Sequence, residues 1–339
     1  MEFGMFLEFE CPGERTETQA FDDAFSLVDA AEDMGLDAVW LAEVHVAPGR
    51  SVLASPLVVA SAIAARTRRI KIGTAVQILP LCHPLRLAED TATIDQISHG
   101  RLIFGVGRSG FPRAYDAYGV AYAESRERFA ETLEVVKAAW TQPTFSYSGS
   151  YYSFREVCLT PKPYQRPHPP IRVAASSPET FVALGKAGYD IFAAARIGTL
   201  SELAPNIRAY HCAYAEAGHP GEGRVFLRVP VYVAETAEQA RSEPEPSIMG
   251  FYRAFGQRIG AYAERAGSAQ RLGAITYDEV LRDKIVVGTP DMVIDRLRAL
   301  QAELGLGGIL AELNCGTMIP QPKIRKSLRL LCEQVMPRL

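Results

Sequence analysis

The chain has 339 residues, 48% of them hydrophobic and 22% charged, with a formal net charge of −3 at pH 7. This is the balance of a folded globular protein, and it excludes extended disorder. A slightly acidic chain without a Lys/Arg cluster offers no footprint for nucleic acid, so the expected partner is a small molecule. The six cysteines contain no Cys-x-x-Cys pair or metal spacing. No apolar run approaches bilayer length, and the start of the chain, with Glu2, Glu8 and Glu10, has no basic stretch leading into an apolar one. A cytoplasmic protein with reduced thiols, no membrane segment and no bound metal is therefore expected.

Phe3 to Phe9 reads as an apolar first strand. Thr18 can cap a helix whose face Phe21, Ala24, Phe25, Val28 and Ala31 follows helical spacing up to Gly35. Ala38 to Ala42 is the second strand, and it runs into Glu43-Val44-His45. A helix from about Ala54 to Arg66 leads to a β-branched run, Ile70 to Ile78, that reads as one strand ended by Pro80. Pro84 opens a helix to about Ile97, Ser98-His99-Gly100 stops it, and Leu102 to Val106 is strand again. This βαβ unit places two parallel strands in one sheet.

The same alternation continues. A helix from about Glu124 to Trp140 precedes an aromatic hairpin, Phe145 to Phe154, and a strand at Ile171 to Ala175. Ser177 can cap a helix that begins at Pro178, and Ile191 to Ala194 is the sixth strand. A helix around Glu202 to Glu216, a seventh strand at Val225 to Val233, and an eighth at Leu306 to Leu313 with its closing helix complete the count. Eight strands alternating with helices, without a composition shift, predict a single-domain (β/α)8 TIM barrel over residues 1–339, with a doubly wound open sheet as the rival architecture. The long interval 234–287, with a helix bearing Phe251, Phe255, Ile259 and Tyr262, follows strand seven at the catalytic face. It reads as a lid or substrate-pocket wall.

Several motifs carry chemistry. Gly105-x-Gly107-x-x-Gly110 has the spacing of a dinucleotide-binding loop. It follows the fourth strand rather than the first, and Pro112 interrupts where a helix should open, so these glycines read instead as room for a ligand to approach the backbone. Arg108 in that loop can grip a phosphate bidentately or serve as an ordinary surface cation. Ser176, Ser177 and Thr180 present hydroxyls at a helix N-terminus, a natural anion site, beside an unfavourable Glu179. Glu43 and His45, two residues apart at the end of strand two, point to the same side and can together move a proton. His83, between Cys82 and Pro84, reads as a residue that fixes a loop.

Four of these stretches, in this order, resemble the bacterial luciferase-like flavin-dependent monooxygenases. They are Trp40-Leu-Ala-Glu-Val-His45, Arg69-Ile-Lys-Ile-Gly-Thr-Ala-Val76, Leu79-Pro-Leu-Cys-His-Pro-Leu-Arg-Leu-Ala-Glu-Asp90 and Gly100-Arg-Leu-Ile-Phe-Gly-Val-Gly-Arg108. Gly288-Thr-Pro and Val335-Met-Pro are similar too. The resemblance implies a (β/α)8 barrel that binds reduced FMN supplied by a separate flavin reductase. It further implies a C4a-(hydro)peroxyflavin, formed with O2, that oxygenates a small organic substrate, and a homodimer packed through the second and third helices.

Carried over by position, Thr74 and Ala75 would lie against the isoalloxazine, where the family often has an unusual peptide conformation. Arg108, Ser176 and Thr180 would hold the phosphate. One departure stands out: the luciferases place two histidines after the strand-two glutamate, and the first usually has the acid/base role, whereas this chain has Val44 and then His45. Glu43 and His45 are thus the catalytic candidates, and the resemblance by itself does not imply light emission or aldehyde oxidation. Two other readings remain beside the monooxygenase: a deazaflavin-dependent dehydrogenase of the same superfamily, and a flavin-binding protein that has lost catalysis.

Overall fold

The structure, a computed structural model, describes residues 1–260 and 266–339. Tyr262, expected on the helix with Phe251, Phe255 and Ile259, lies outside the described residues. Eight parallel strands form the barrel: β1 (Glu2–Leu7), β2 (Ala38–Leu41), β3 (Lys71–Thr74), β4 (Leu102–Gly107), β5 (Ile171–Ala174), β6 (Asp190–Ala193), β7 (Val225–Val233) and β8 (Leu306–Glu312). Neighbours follow sequence order, and β8 returns to β1 with Glu2 opposite Gly308 and Met5 opposite Ala311, which closes the sheet. β2 and β4 are buried at every residue, as strands covered on both faces must be. No helix among the described residues is long and apolar enough to cross a membrane.

The chain divides into two compact units. One comprises Leu7–Phe9 and Ala38–Ala174 and contains β2 to β5. Its core centres on Trp40, which is fully buried, with the Arg172 guanidinium 4.8 Å from the indole ring centre. Gly73 is glycine because the indole occupies the place of its side chain: an added Cβ would sit 2.1 Å from Trp40 Cζ3. Trp140 packs edge-on against Phe104 at 5.3 Å and donates its indole N–H to Ala88 O at 3.1 Å.

In this unit the expected single strand over Ile70–Ile78 is two pieces. Lys71–Thr74 pairs with β4 through Ile72 opposite Leu102 and Gly73 opposite Ile103. Gln77–Ile78 then pairs through Gln77 opposite Val106. Between these pairings one strand advances from 73 to 77, four residues, while its partner advances from 103 to 106, three. The regular ladder is therefore interrupted, and the peptide between Ala75 and Val76 is cis. Thr74 substitutes for the missing main-chain bonds: its buried hydroxyl donates to Gly105 O at 2.6 Å and accepts from Gly105 N at 3.1 Å. Propensity reads residue types and cannot register a one-residue slip between partners.

The other unit comprises Met1–Phe6, Glu10–Asp37 and Ala175–Leu339. Its first helix, Glu17–Asp33, is capped by Thr16 rather than Thr18. Thr16 has Gln19 three residues on, and the two side chains and backbones satisfy each other reciprocally at 3.2 and 3.0 Å. Phe21 is the corresponding residue for Thr18 and has no polar group to reach back. After β7 the chain is mostly helical rather than irregular, with helices at Ala237–Ser242, Glu245–Gly260, Ala266–Ala274 and Tyr277–Asp283 before a short strand, Val286–Gly288. Ile248, Tyr252, Phe255 and Ile259 are buried along Glu245–Gly260, the helical spacing of one packed face.

Candidate active site

The chain leaves β2 at Leu41, and Glu43 and His45 then turn their side chains into one buried polar cluster. Glu43 Oε1 lies 2.6 Å from His45 Nε2. Glu43 Oε2 accepts from Gln77 Nε2 at 2.7 Å and from the Ile78 backbone N–H at 2.5 Å. On its other side, His45 Nδ1 is 3.1 Å from the Tyr118 hydroxyl, and the two rings are 4.9 Å apart. A carboxylate facing Nε2 favours the tautomer with its proton there, which leaves Nδ1 to accept from Tyr118. Burial first, and the Glu43 charge second, raise the Tyr118 pKa and keep the phenol protonated. The chain Tyr118–His45–Glu43 can thus hold a proton at Tyr118 Oη, an atom on a half-exposed side chain, and pass it inward.

Gln77 is bound into this cluster in a definite orientation. Its amide N–H groups face Glu43 and the Cys82 sulfur at 3.4 Å, so its oxygen points elsewhere and is a buried acceptor with no partner. Burial first, and then the Glu43 charge, push the Cys82 thiol up to about 12. With its pKa that far above the working range, Cys82 stays protonated and unreactive at pH 8. Iodoacetamide at pH 8 should label the exposed Cys158 and Cys212 and spare Cys82, as read by peptide mass spectrometry. Labelling of Cys82 at the rate of Cys158 would contradict this environment.

Sequence reasoning paired Glu43 with His45 correctly but missed Gln77 and Tyr118. Gln77 was detectable: a glutamine in the apolar run Ala75-Val-Gln-Ile-Leu79 must find buried hydrogen-bond partners. Tyr118, just after the helix Pro112–Ala117, has no local signal. His83 caps the helix Pro84–Ser98, its Nδ1 facing Arg86 N at a long 3.5 Å, and meets Tyr152 and Phe154 edge-on.

Arg108 follows β4, half-buried, and donates through Nη1 to Ser125 Oγ at 3.1 Å. It has no ion-pair partner among the described residues. The Tyr115 hydroxyl donates to the Arg108 carbonyl, which holds the loop. Gly107 is explained by packing: a Cβ there would be 2.5 Å from Val76 Cγ2. Gly110, by contrast, has open space around it.

In the other unit Ser177 stands at the N-cap of the helix Pro178–Ala187 with extended backbone, but its side chain makes no cap bond. Its hydroxyl pairs instead with Thr180 Oγ1 at 2.9 Å, and Ser176 is exposed. The expected capping role is replaced by a pair of adjacent hydroxyls at a helix N-terminus. Around the C-terminal parts of β6 to β8 this unit also holds a hollow, open to solvent, with Arg196, Arg228, Phe251, Tyr252, Lys284 and Glu312 in its walls. Arg228 binds Glu312 at 2.8 and 3.0 Å.

Comparison with known proteins agrees with this architecture. The chain is 25% identical over 348 residues to the oxygenase component of the flavin-dependent trigonelline monooxygenase of Acinetobacter baylyi, covering 99% of this chain and 95% of that protein. Monooxygenase RslO1 from Streptomyces bottropensis superposes with a TM-score of 0.86 at 28% identity, covering 99% of each chain. The FMN complex of the oxygenating constituent of 3,6-diketocamphane monooxygenase from Pseudomonas putida has the same fold, with a TM-score of 0.84 at 24% identity over 100% of this chain and 98% of that one. The family model for luciferase-like monooxygenases matches residues 1–306, and the chain is an enzyme of the luciferase-like monooxygenase family.

Proposed function

We propose that this protein is the oxygenase component of a two-component system, taking reduced FMN from a separate reductase and using O2 to oxygenate a small organic substrate. The observation that carries the reading is a pair of unsatisfied groups in one unit, the Arg108 guanidinium without an ion pair and the buried Gln77 oxygen without a donor. They are the complements of a phosphate and of a flavin-ring N–H. When bound, reduced FMN supplies the two electrons by which O2 is split between substrate and water.

This chain's residues have separate tasks in that reading. Arg108 grips the phosphate. Thr74 and Ala75 lie against the ring, on the segment that carries the cis peptide to Val76. The Gln77 oxygen accepts from the ring edge, and Glu43 fixes Gln77 and His45 together. His45 and Tyr118 move a proton at Tyr118 Oη. Ser176 and Thr180 are assigned to the phosphate on the resemblance, and Ser177 on its place at a helix N-terminus. Phe251 and Tyr252, from the segment after β7, wall the hollow.

Titration with FMN, reduced FMN and reduced deazaflavin, followed by mixing of the reduced complex with O2 and a substrate panel, tests the reading. Arg108→Ala should weaken FMN binding by about ten- to a hundredfold, the effect of a charged hydrogen bond worth roughly 1.5–3 kcal/mol. Unchanged affinity would remove Arg108 from the phosphate site. Binding of deazaflavin alone would favour the dehydrogenase, and flavin binding without any turnover the non-catalytic reading.

A further inference from the structure

Lys284, directly after the helix Tyr277–Asp283, is an unusual wall for a solvent-open hollow: only 5% of the residue is exposed. Its ammonium donates to Ile197 O at 2.9 Å and to Gly198 O, and lies 5.6 Å from the Tyr252 ring centre. An ammonium has three donors, so one remains. No carboxylate lies within ion-pair distance of it among the described residues. The acids around the hollow are engaged elsewhere. Glu312 holds Arg228, Asp283 pairs with Arg282 at 2.8 Å, and Glu202 accepts from the Thr199 backbone at 3.3 Å.

A buried charge without a counter-charge is a costly arrangement unless something supplies one. Burial accordingly lowers the Lys284 pKa, while Glu202 and Asp283 offset it only in part. Holding the 197–198 loop explains two of its three bonds, and the third direction and the hollow remain. Arg196 adds a second cation to the same walls, and Phe251 and Tyr252 add aromatic surface, their rings 5.3 Å apart and edge to face. Two cations and two aromatic side chains in the walls of one hollow are complementary to an anionic, planar molecule.

We propose that this hollow takes an organic carboxylate, its anionic group held by Lys284 and Arg196 and its planar body packed against Phe251 and Tyr252. The inference rests on the proposed function only in naming that carboxylate as the substrate. Its test therefore uses binding to the full chain without flavin, so that failure of the cofactor assignment and failure of the carboxylate site are read separately.

Benzoate, its neutral isostere benzamide and inorganic phosphate serve as probes in calorimetric titrations. Benzoate should bind at least about tenfold more tightly than benzamide, because only the former pairs with the ammonium. Phosphate should fail to displace it. Lys284→Met should erase the preference while leaving the affinity for FMN unchanged. Should Lys284→Met lose its fold by circular dichroism, Arg196→Gln provides the same comparison with the loop bonds intact. Equal affinity for benzoate and benzamide, no binding of benzoate, displacement by phosphate, or a preference that survives substitution would each overturn the proposal.

Discussion

Glu43→Ala should destabilise the protein by about 3 kcal/mol, since several buried donors lose their acceptor at once and each costs roughly 1–3 kcal/mol unsatisfied. The Ile78 N–H, the Gln77 amide and His45 all end on this one carboxylate. The change is read as a lower urea midpoint at constant slope. Glu43→Gln separates structure from chemistry. It keeps the acceptor that Ile78 and Gln77 share but turns an NH2 group towards His45 Nε2, so the stability loss should be smaller. Turnover should still fall steeply, because the neutral amide no longer stabilises a proton on His45. A loss below about 1 kcal/mol for Glu43→Ala would mean that water satisfies the cluster, which would no longer be the closed network described.

Gly73→Ala should be at least as damaging, at about 3 kcal/mol or more for a single methyl group. The new carbon would overlap Trp40 Cζ3 at 2.1 Å and Cε3 at 2.4 Å. The indole has no room to yield: Trp40 is fully buried, with the Arg172 guanidinium over its ring. Trp40→Phe removes the clashing atoms, so the double variant should be less destabilised than the sum of the singles. Additive effects would show that the clash is relieved by backbone movement instead.

The two substitutions also mark the limits of what could be read without the fold. The Glu43–His45 pairing was legible because both residues lie on one strand exit, where a spacing of two returns a side chain to the same side. Gln77 is 34 residues from Glu43, and Tyr118 is 73 from His45. No window of periodicity joins such positions. The slip between Lys71–Thr74 and Gln77–Ile78 escaped for a related reason, since the run is uniformly β-forming and its interruption depends on which residue of β4 stands opposite. Ser177 was expected to cap its helix, a local rule, but a bond to Thr180 Oγ1 competes with the cap.

By itself the sequence determined the alternation of eight strands with helices, the family motifs along that alternation, and the placing of Glu43, His45 and Arg108 at strand ends. Each of these follows from residue type and short-range spacing, which act within a few residues. Only the tertiary structure decided that Gln77 and Tyr118 complete the Glu43–His45 cluster, that Gly73 is bare to admit Trp40, and that Lys284 is buried at a hollow without a counter-charge. Those features arise where side chains distant in sequence share one volume, and whether a donor there is satisfied depends on the whole packing around it.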